Sequence, residues 1–167
     1  MVHIKNILIP IDFSASSNQV FEVGHCLAKQ NSATLHLLHV IDPVYYKKEQ
    51  TKNSDLAFIK KIRCENAKEE LRKFKFELPY SSDVEIIEVL LEGTPHKEIL
   101  NYARHNDIDL IVIASHGWTN LSHMVMGGIA DKIMRLSDVP VICVKSNVPV
   151  IKNRGLRKLS YAENLAG

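Results

Sequence analysis

Five apolar runs of strand length alternate with segments of helical period along this chain, and that alternation constrains the fold more than any other feature. The runs cover residues 4–11 (I-K-N-I-L-I-P-I), 34–41 (T-L-H-L-L-H-V-I), 84–91 (V-E-I-I-E-V-L-L), 109–114 (D-L-I-V-I-A) and 139–145 (V-P-V-I-C-V-K). Near-continuous hydrophobicity of this kind belongs to strands buried on both faces. Between the runs, residues 16–30 place Val20, Val23 and Leu27 at helical spacing, with Ser14 or Ser16 as the cap. Residues 53–76 set Leu56, Ile59, Ile62, Ala67, Leu71 and Phe74 in one stripe. Thr94-Pro95 opens a third helix that runs to residue 105, and residues 127–136 form a fourth with Ile129, Ile133, Met134 and Leu136 turned inward. This order predicts an α/β fold, a parallel sheet with helices on both faces joined by right-handed crossovers. Pro140 at the start of the last run marks an edge strand.

With 167 residues the chain suits one domain, and 46% hydrophobic against 24% charged residues is ordinary globular composition. The formal net charge of +2 is unevenly spread. Lys145, Lys152, Arg154, Arg157 and Lys158 face only Glu163 from residue 145 onward, so the body is slightly acidic. Such a body lacks the basic footprint of a nucleic-acid binder, and the basic terminus reads as a solvated tail. No run approaches the ~20 apolar residues of a membrane span. The first strand carries no signal-peptide pattern, so the expected location is the cytoplasm. Cys26, Cys64 and Cys143 are odd in number and far apart, which predicts reduced, mostly buried thiols.

In an open parallel sheet, ligands bind beyond the carboxyl ends of strands where the strand order reverses. Three such ends carry informative residues: Pro10-Ile11-Asp12, His39-Val40, and Ala114-Ser115-His116-Gly117. Gly127-Gly128 then opens the fourth helix. A helix start carries unpaired N–H groups and a partial positive charge, and glycines let a phosphate reach the backbone. Asp12 is placed to accept from a ribose hydroxyl or to help hold a divalent cation. The glycine pair can equally serve as a tight turn.

Sharper chemistries find little support. His36 and His39 should face opposite sides of one strand, and His116 and His123 have no carboxylate at ligand spacing, so no protein cage for a metal is expected. Ser115-His116 lacks a G-x-S-x-G elbow, and adjacent residues are not expected to share the geometry of a nucleophile and its base. A P-loop and a strand-linked G-x-G-x-x-G are both absent. Trp118 reads as packing on its own helix, and Tyr45, Tyr46, Lys47 and Lys48 as a solvated loop.

Over residues 1–145 the sequence resembles the universal stress protein family. The resemblance rests on I-L-I-P-I-D-F-S, L-L-H-V, E-G-T-P, the long piece I-V-I-A-S-H-G-W-T-N-L-S-H-M-V-M-G-G-I-A-D-K-I-M-R, and V-P-V-I-C-V, in that order. It implies a Rossmann-like sheet of order 3-2-1-4-5, as in the adenine nucleotide alpha hydrolases, with residues 146–167 as a basic C-terminal extension. One branch of the family binds ATP through Gly, two residues, Gly, nine residues, Gly, then Ser or Thr. The spacing is kept here at positions 114, 117, 127 and 128, but Ala114 replaces the first glycine and Gly128 the hydroxyl residue.

The resemblance places the base against Val40 and Pro10–Asp12, and the ribose near Asp12 and Ile113. The phosphates fall on the backbone of Ala114, Gly117, Gly127, Gly128 and Ile129, close to Ser115 and His116. Loss of the hydroxyl at 128 removes a hydrogen bond worth about 1.5–3 kcal/mol to a charged phosphate. The expected function is a homodimeric stress-response protein that binds ATP or a related adenine nucleotide, with Mg²⁺, as a switch or sensor. Any ATP hydrolysis should be slow. The alternative is a nucleotide-free dimeric interaction module. An exposed apolar edge strand supports pairing of two copies through Val139, Val141 and Cys143.

Overall fold

The computed structural model describes residues 3–44, 56–78, 82–116 and 126–145. The strands are β1 (Asn6–Pro10), β2 (Thr34–Ile41), β3 (Ile86–Glu92), β4 (Leu110–Ala114) and β5 (Val141–Val144). The helices are α1 (Ala15–Asn31), α2 (Leu56–Glu77), α3 (Pro95–His105) and α4 (Gly128–Leu136). All strand pairs are parallel, in the order β3-β2-β1-β4-β5. The sheet is therefore the one expected, and its order reverses between β1 and β4.

Two buried clusters flank the sheet because alternate strand residues face opposite sides. Ile7, Ile9, Leu35, Leu37 and Val112 join Val20, Phe21 and Ala28 of α1 and Leu71 of α2. Leu8, Leu38, Ile111 and Ile113 join Ile99, Leu100 and Ala103 of α3 and Ala130 and Ile133 of α4. The clusters place α1 and α2 on one face and α3 and α4 on the other, and a reversal of strand order such as that between β1 and β4 is where open parallel sheets bind ligands. Gly93 of the E-G-T-P piece is required by geometry: its φ is +155°, and Glu98 Oε1 lies 2.5 Å from where a Cβ would stand.

Several expected burial patterns are corrected. In α1 the inward centre is Phe21, Gly24 and Ala28 beside Val20, with Val23 and Leu27 only partly buried. In α2 only Ala67 and Leu71 are buried, while Phe58 is 62% and Ile62 39% exposed. Twenty-two helical residues span about 33 Å, whereas the seven of β3 span about 23 Å. The helix is longer than the strand it crosses, and its fully buried residues fall in its second half. In α4, Ile129, Met134 and Leu136 are exposed, because Ala130 and Ile133 take the inner positions of this short helix. Cys26 is exposed and Cys64 and Cys143 are intermediate, so none of the three thiols is buried. Cys26 sits on the outer side of α1, away from Phe21, Gly24 and Ala28.

His36 and His39 do face opposite sides. His36 Nδ1 meets Tyr102 Oη of α3 at 2.8 Å, and His39 packs on Phe13 with ring centroids 4.4 Å apart. Burial holds the His36 proton affinity below its ordinary 6.5, an effect Glu85 partly offsets. His39 is lowered for the same reason, against the Ile11 carbonyl, Glu70 and Asp12. Both imidazoles resist protonation in the fold but not in the unfolded chain. Stability present above pH 6.5 is therefore lost as pH falls from there toward the folded values. The urea midpoint is expected to drop between about pH 7.5 and 5.5, and to drop less in His36→Gln, whose amide cannot titrate. An equal drop in both proteins would contradict this assignment.

Candidate functional site

The site is built at the carboxyl ends of β2, β1 and β4. Pro10 pairs in register with Leu38, and Leu8 with Ile111, so the residues just beyond them, Ile11, Asp12, Val40, Ile113 and Ala114, share one end of the sheet. Ile11 and Ile113 are each 5% exposed and belong to opposite clusters. Val40 packs toward the α3/α4 side. Ala114 packs toward the α1 side, so its methyl is directed into the core.

The β4 end folds onto the start of α4. Ser115 N–H donates to the Val144 carbonyl at 2.8 Å, and Gly127 N–H donates to the Ser115 carbonyl at 2.8 Å. Two stretches eleven and more residues apart in sequence are thereby joined. Gly127 is the N-cap of α4 and makes no side-chain cap. The following amides, Gly128, Ile129 and Ala130, are those for which helix geometry provides no intrahelical acceptor. Among the described residues, a Cβ on Gly128 would meet nothing within 4 Å. The Gly127 amide, expected beside the phosphates, donates here to the protein's own Ser115 carbonyl. Gly117, Trp118 and His123 lie outside the described residues, as do Tyr45, Tyr46, Lys47, Lys48 and residues 146–167.

Asp12 organises the turn from β1 into α1. Its Oδ1 accepts from Ser14 N–H at 3.0 Å, Ser14 Oγ at 2.6 Å and Ser17 Oγ at 3.0 Å. Its own N–H donates to Ser17 Oγ at 3.2 Å. Ser14 is the N-cap residue of α1, yet its hydroxyl bonds to Asp12 and makes no cap. Asp12 Oδ1 is thus filled by protein donors and does not fit direct coordination of a cation. Among the described residues no three His, Cys, Asp or Glu side chains stand together as a metal cage.

Ser115 and His116 also depart from expectation. Ser115 Oγ and His116 Nδ1 are 2.9 Å apart, so these neighbours do share hydrogen-bond geometry. The contact arises because Ser115 leaves the strand while its backbone is still held by Val144. Ser115 is only 7% exposed, which suits a residue that orients His116 better than one that attacks a substrate. The sequence marks His39 at an informative strand end but assigns it no contact. Its Nδ1 donates to the Ile11 carbonyl at 2.9 Å. The available signal was its register: it shares a strand face with Leu35 and Leu37, where a polar ring must find a partner.

Comparison with known proteins places this geometry in a family. The model of the universal stress protein family matches residues 3–145. Universal stress protein YxiE of Bacillus subtilis is 30% identical, over 84% of this chain and 99% of its own length. Universal stress protein MJ0577 of Methanocaldococcus jannaschii is 29% identical over 84% of this chain and 94% of its own. The solved structure of MJ0577 superimposes with a TM-score of 0.73 over 86% of this chain and 97% of that one. A universal stress protein from Archaeoglobus fulgidus in complex with dAMP gives a TM-score of 0.58 at 21% identity, over 86% of this chain and 100% of that one, a likeness of fold.

Proposed function

The chain belongs to the universal stress protein family, and from that premise we propose that it binds ATP or a related adenine nucleotide in the crevice between β1 and β4 as a stress-response switch or sensor. One observation carries the reading. Gly127 N–H reaches the Ser115 carbonyl, which closes the β4 end onto α4, and among the described residues nothing lies within 4 Å of where a Cβ on Gly128 would stand. Gly128 and Ile129 amides would hold phosphate oxygens, aided by the helix dipole. His116 would donate to the same phosphates from its place beside Ser115. Val40 and the Pro10–Asp12 backbone would flank the base, with Asp12 and Ile113 near the ribose. The dAMP bound to the Archaeoglobus fulgidus neighbour supports the ligand class.

Mg²⁺ would accompany the phosphates, held through their oxygens and water because Asp12 Oδ1 is already filled. The same occupancy leaves Asp12 a poor base for water attack, so ATP hydrolysis would be slow. No helix among the described residues is long and apolar enough to cross a membrane, and the proposed location is the cytoplasm. Residues 1–145 would form the functional domain and 146–167 an appendage to it. Thermal unfolding with and without Mg-ATP tests the reading: nucleotide at a hundred times its dissociation constant should add about 2.7 kcal/mol. No shift at millimolar nucleotide would leave the nucleotide-free interaction module, which the internal use of the Gly127 amide and Asp12 Oδ1 favours.

Two copies would pair through β5. The two edges of the sheet differ. Over β3, Lys60 and Lys75 of α2 ion-pair with Glu92 at 2.7 Å and Glu88 at 2.8 Å, a charged edge that discourages a second strand. β5 reads V-I-C-V and, among the described residues, pairs only with β4, with Ile142 37% exposed. Val139 and Val141 pack partly on the α3/α4 cluster. Ile142 is therefore the cleaner probe, since a charge there spares that cluster. Ile142→Lys is expected to convert a dimer to monomer in sedimentation, and a variant as dimeric as the parent would exclude this interface.

A further inference from the structure

The β1 end carries two features that the nucleotide reading leaves unexplained. Phe13 has φ +61°, in the left-handed region that bulky side chains avoid. The half-buried imidazole of His39 is devoted to one backbone carbonyl. Both features converge on a single peptide group. The Ile11–Asp12 peptide has its carbonyl held by His39 Nδ1–H at 2.9 Å and its N–H held by Ser17 Oγ at 3.2 Å. The peptide before it is tied as well, with Ile11 N–H on the Leu38 carbonyl at 2.9 Å. Phe13 lays its ring over His39 and turns its edge to Phe74 at 6.1 Å between centroids. A strained backbone of this kind persists only where its surroundings over-determine it, and such strain concentrates at ligand clamps.

We propose that His39 is a positioning residue of the crevice: by holding the Ile11 carbonyl, it fixes the orientation of the Ile11–Asp12 peptide and hence the seat of an adenosine at the β1 end. The inference rests on the nucleotide reading and assigns His39 a role within it. A carbonyl released from the imidazole is free to rotate, and its negative end can then face the phosphates. The same rotation moves the N–H away from Ser17 and carries the Asp12 side chain out of its three hydrogen bonds. Neighbouring charge does not substitute for the donor. The carboxylates that face His39, Asp12 from the β1–α1 turn and Glu70 from α2, repel a carbonyl oxygen and cannot hold it.

Three variants separate the donor from the ring. His39→Phe keeps an aromatic surface for Phe13 but has no N–H. His39→Asn sets an amide N–H where Nδ1 stands, and His39→Gln sets one where Nε2 stands. Calorimetric titration with Mg-ATP should show His39→Phe and His39→Gln weaker than the parent by about tenfold, and His39→Asn within about threefold of it. The glutamine variant carries the test if the phenylalanine variant does not fold. A parent that binds with unchanged affinity after His39→Phe or His39→Gln overturns this inference and leaves the nucleotide reading standing. So does an asparagine variant no better than the glutamine one. A parent that binds no adenine nucleotide overturns the reading and this inference together.

Discussion

Valine at position 127 is expected to weaken Mg-ATP binding by at least about a hundredfold, ~2.7 kcal/mol, while the fold survives. A Cβ on Gly127 would lie 3.2 Å from the Ser115 carbonyl oxygen and 3.6 Å from His116 Cα. The second is ordinary van der Waals contact, but the first is tight and made to a backbone atom, so no rotamer change relieves it, and valine adds two methyl groups beyond the Cβ. Relief requires the α4 start to move off the β4 end, which stretches the 2.8 Å bond from Gly127 N–H to Ser115. The donors of the proposed anion seat move with it. The effect is one of space, since φ −60° and ψ 142° at Gly127 suit any residue. Gly127 belongs to neither buried cluster, so the stability loss should stay near the 1–3 kcal/mol of a local overpacking. Titration calorimetry beside thermal unfolding checks both halves. Unchanged affinity in a folded variant would mean that the seat is elsewhere.

The neighbouring position should respond with the opposite sign. Gly128→Ser is expected to tighten Mg-ATP binding by roughly ten- to a hundredfold, since a hydroxyl on a charged phosphate is worth about 1.5–3 kcal/mol. Among the described residues nothing lies within 4 Å of the site a Cβ would take, so the added side chain meets no clash with them. Serine also suits a first-turn helix position better than glycine does. The ligand-free protein should gain little stability, which separates a contact with ligand from a general effect on α4. Equal affinity in parent and variant would show that the phosphates do not approach residue 128. The two glycines thus make a matched pair: one is needed for closeness to the protein, the other leaves room for something outside it.

The sheet was legible because its strands are apolar on both faces. L-I-V-I-A and I-L-I-P-I can be buried nowhere else, and the alternation with helices then requires parallel order. The crevice was legible for a related reason, since residues at strand ends must meet wherever the order reverses. What was not legible depends on where one element stops relative to another. Ile62 keeps the helical stripe of α2, but the helix is longer than the strand it crosses and leaves it exposed. Ile129, Met134 and Leu136 look inward by composition, yet nine residues of α4 present only Ala130 and Ile133 to the core. The left-handed Phe13 and the reach of His39 to Ile11, 28 residues away, arise only once β1 and β2 are side by side. The use of Gly127 N–H by Ser115 is of the same type: spacing places the two stretches near one another, but not which atoms are consumed in joining them.

The central claim is that the β4 end and the α4 start form one anion seat opposite the β1 turn. A crystal structure of the protein grown with Mg-ATP tests it most directly. The account predicts phosphate density against the amides of Gly128 and Ile129, with the base between Val40 and Pro10–Asp12. Density for the nucleotide anywhere else on the molecule, or a crevice occupied by the protein's own side chains in saturating nucleotide, would contradict it.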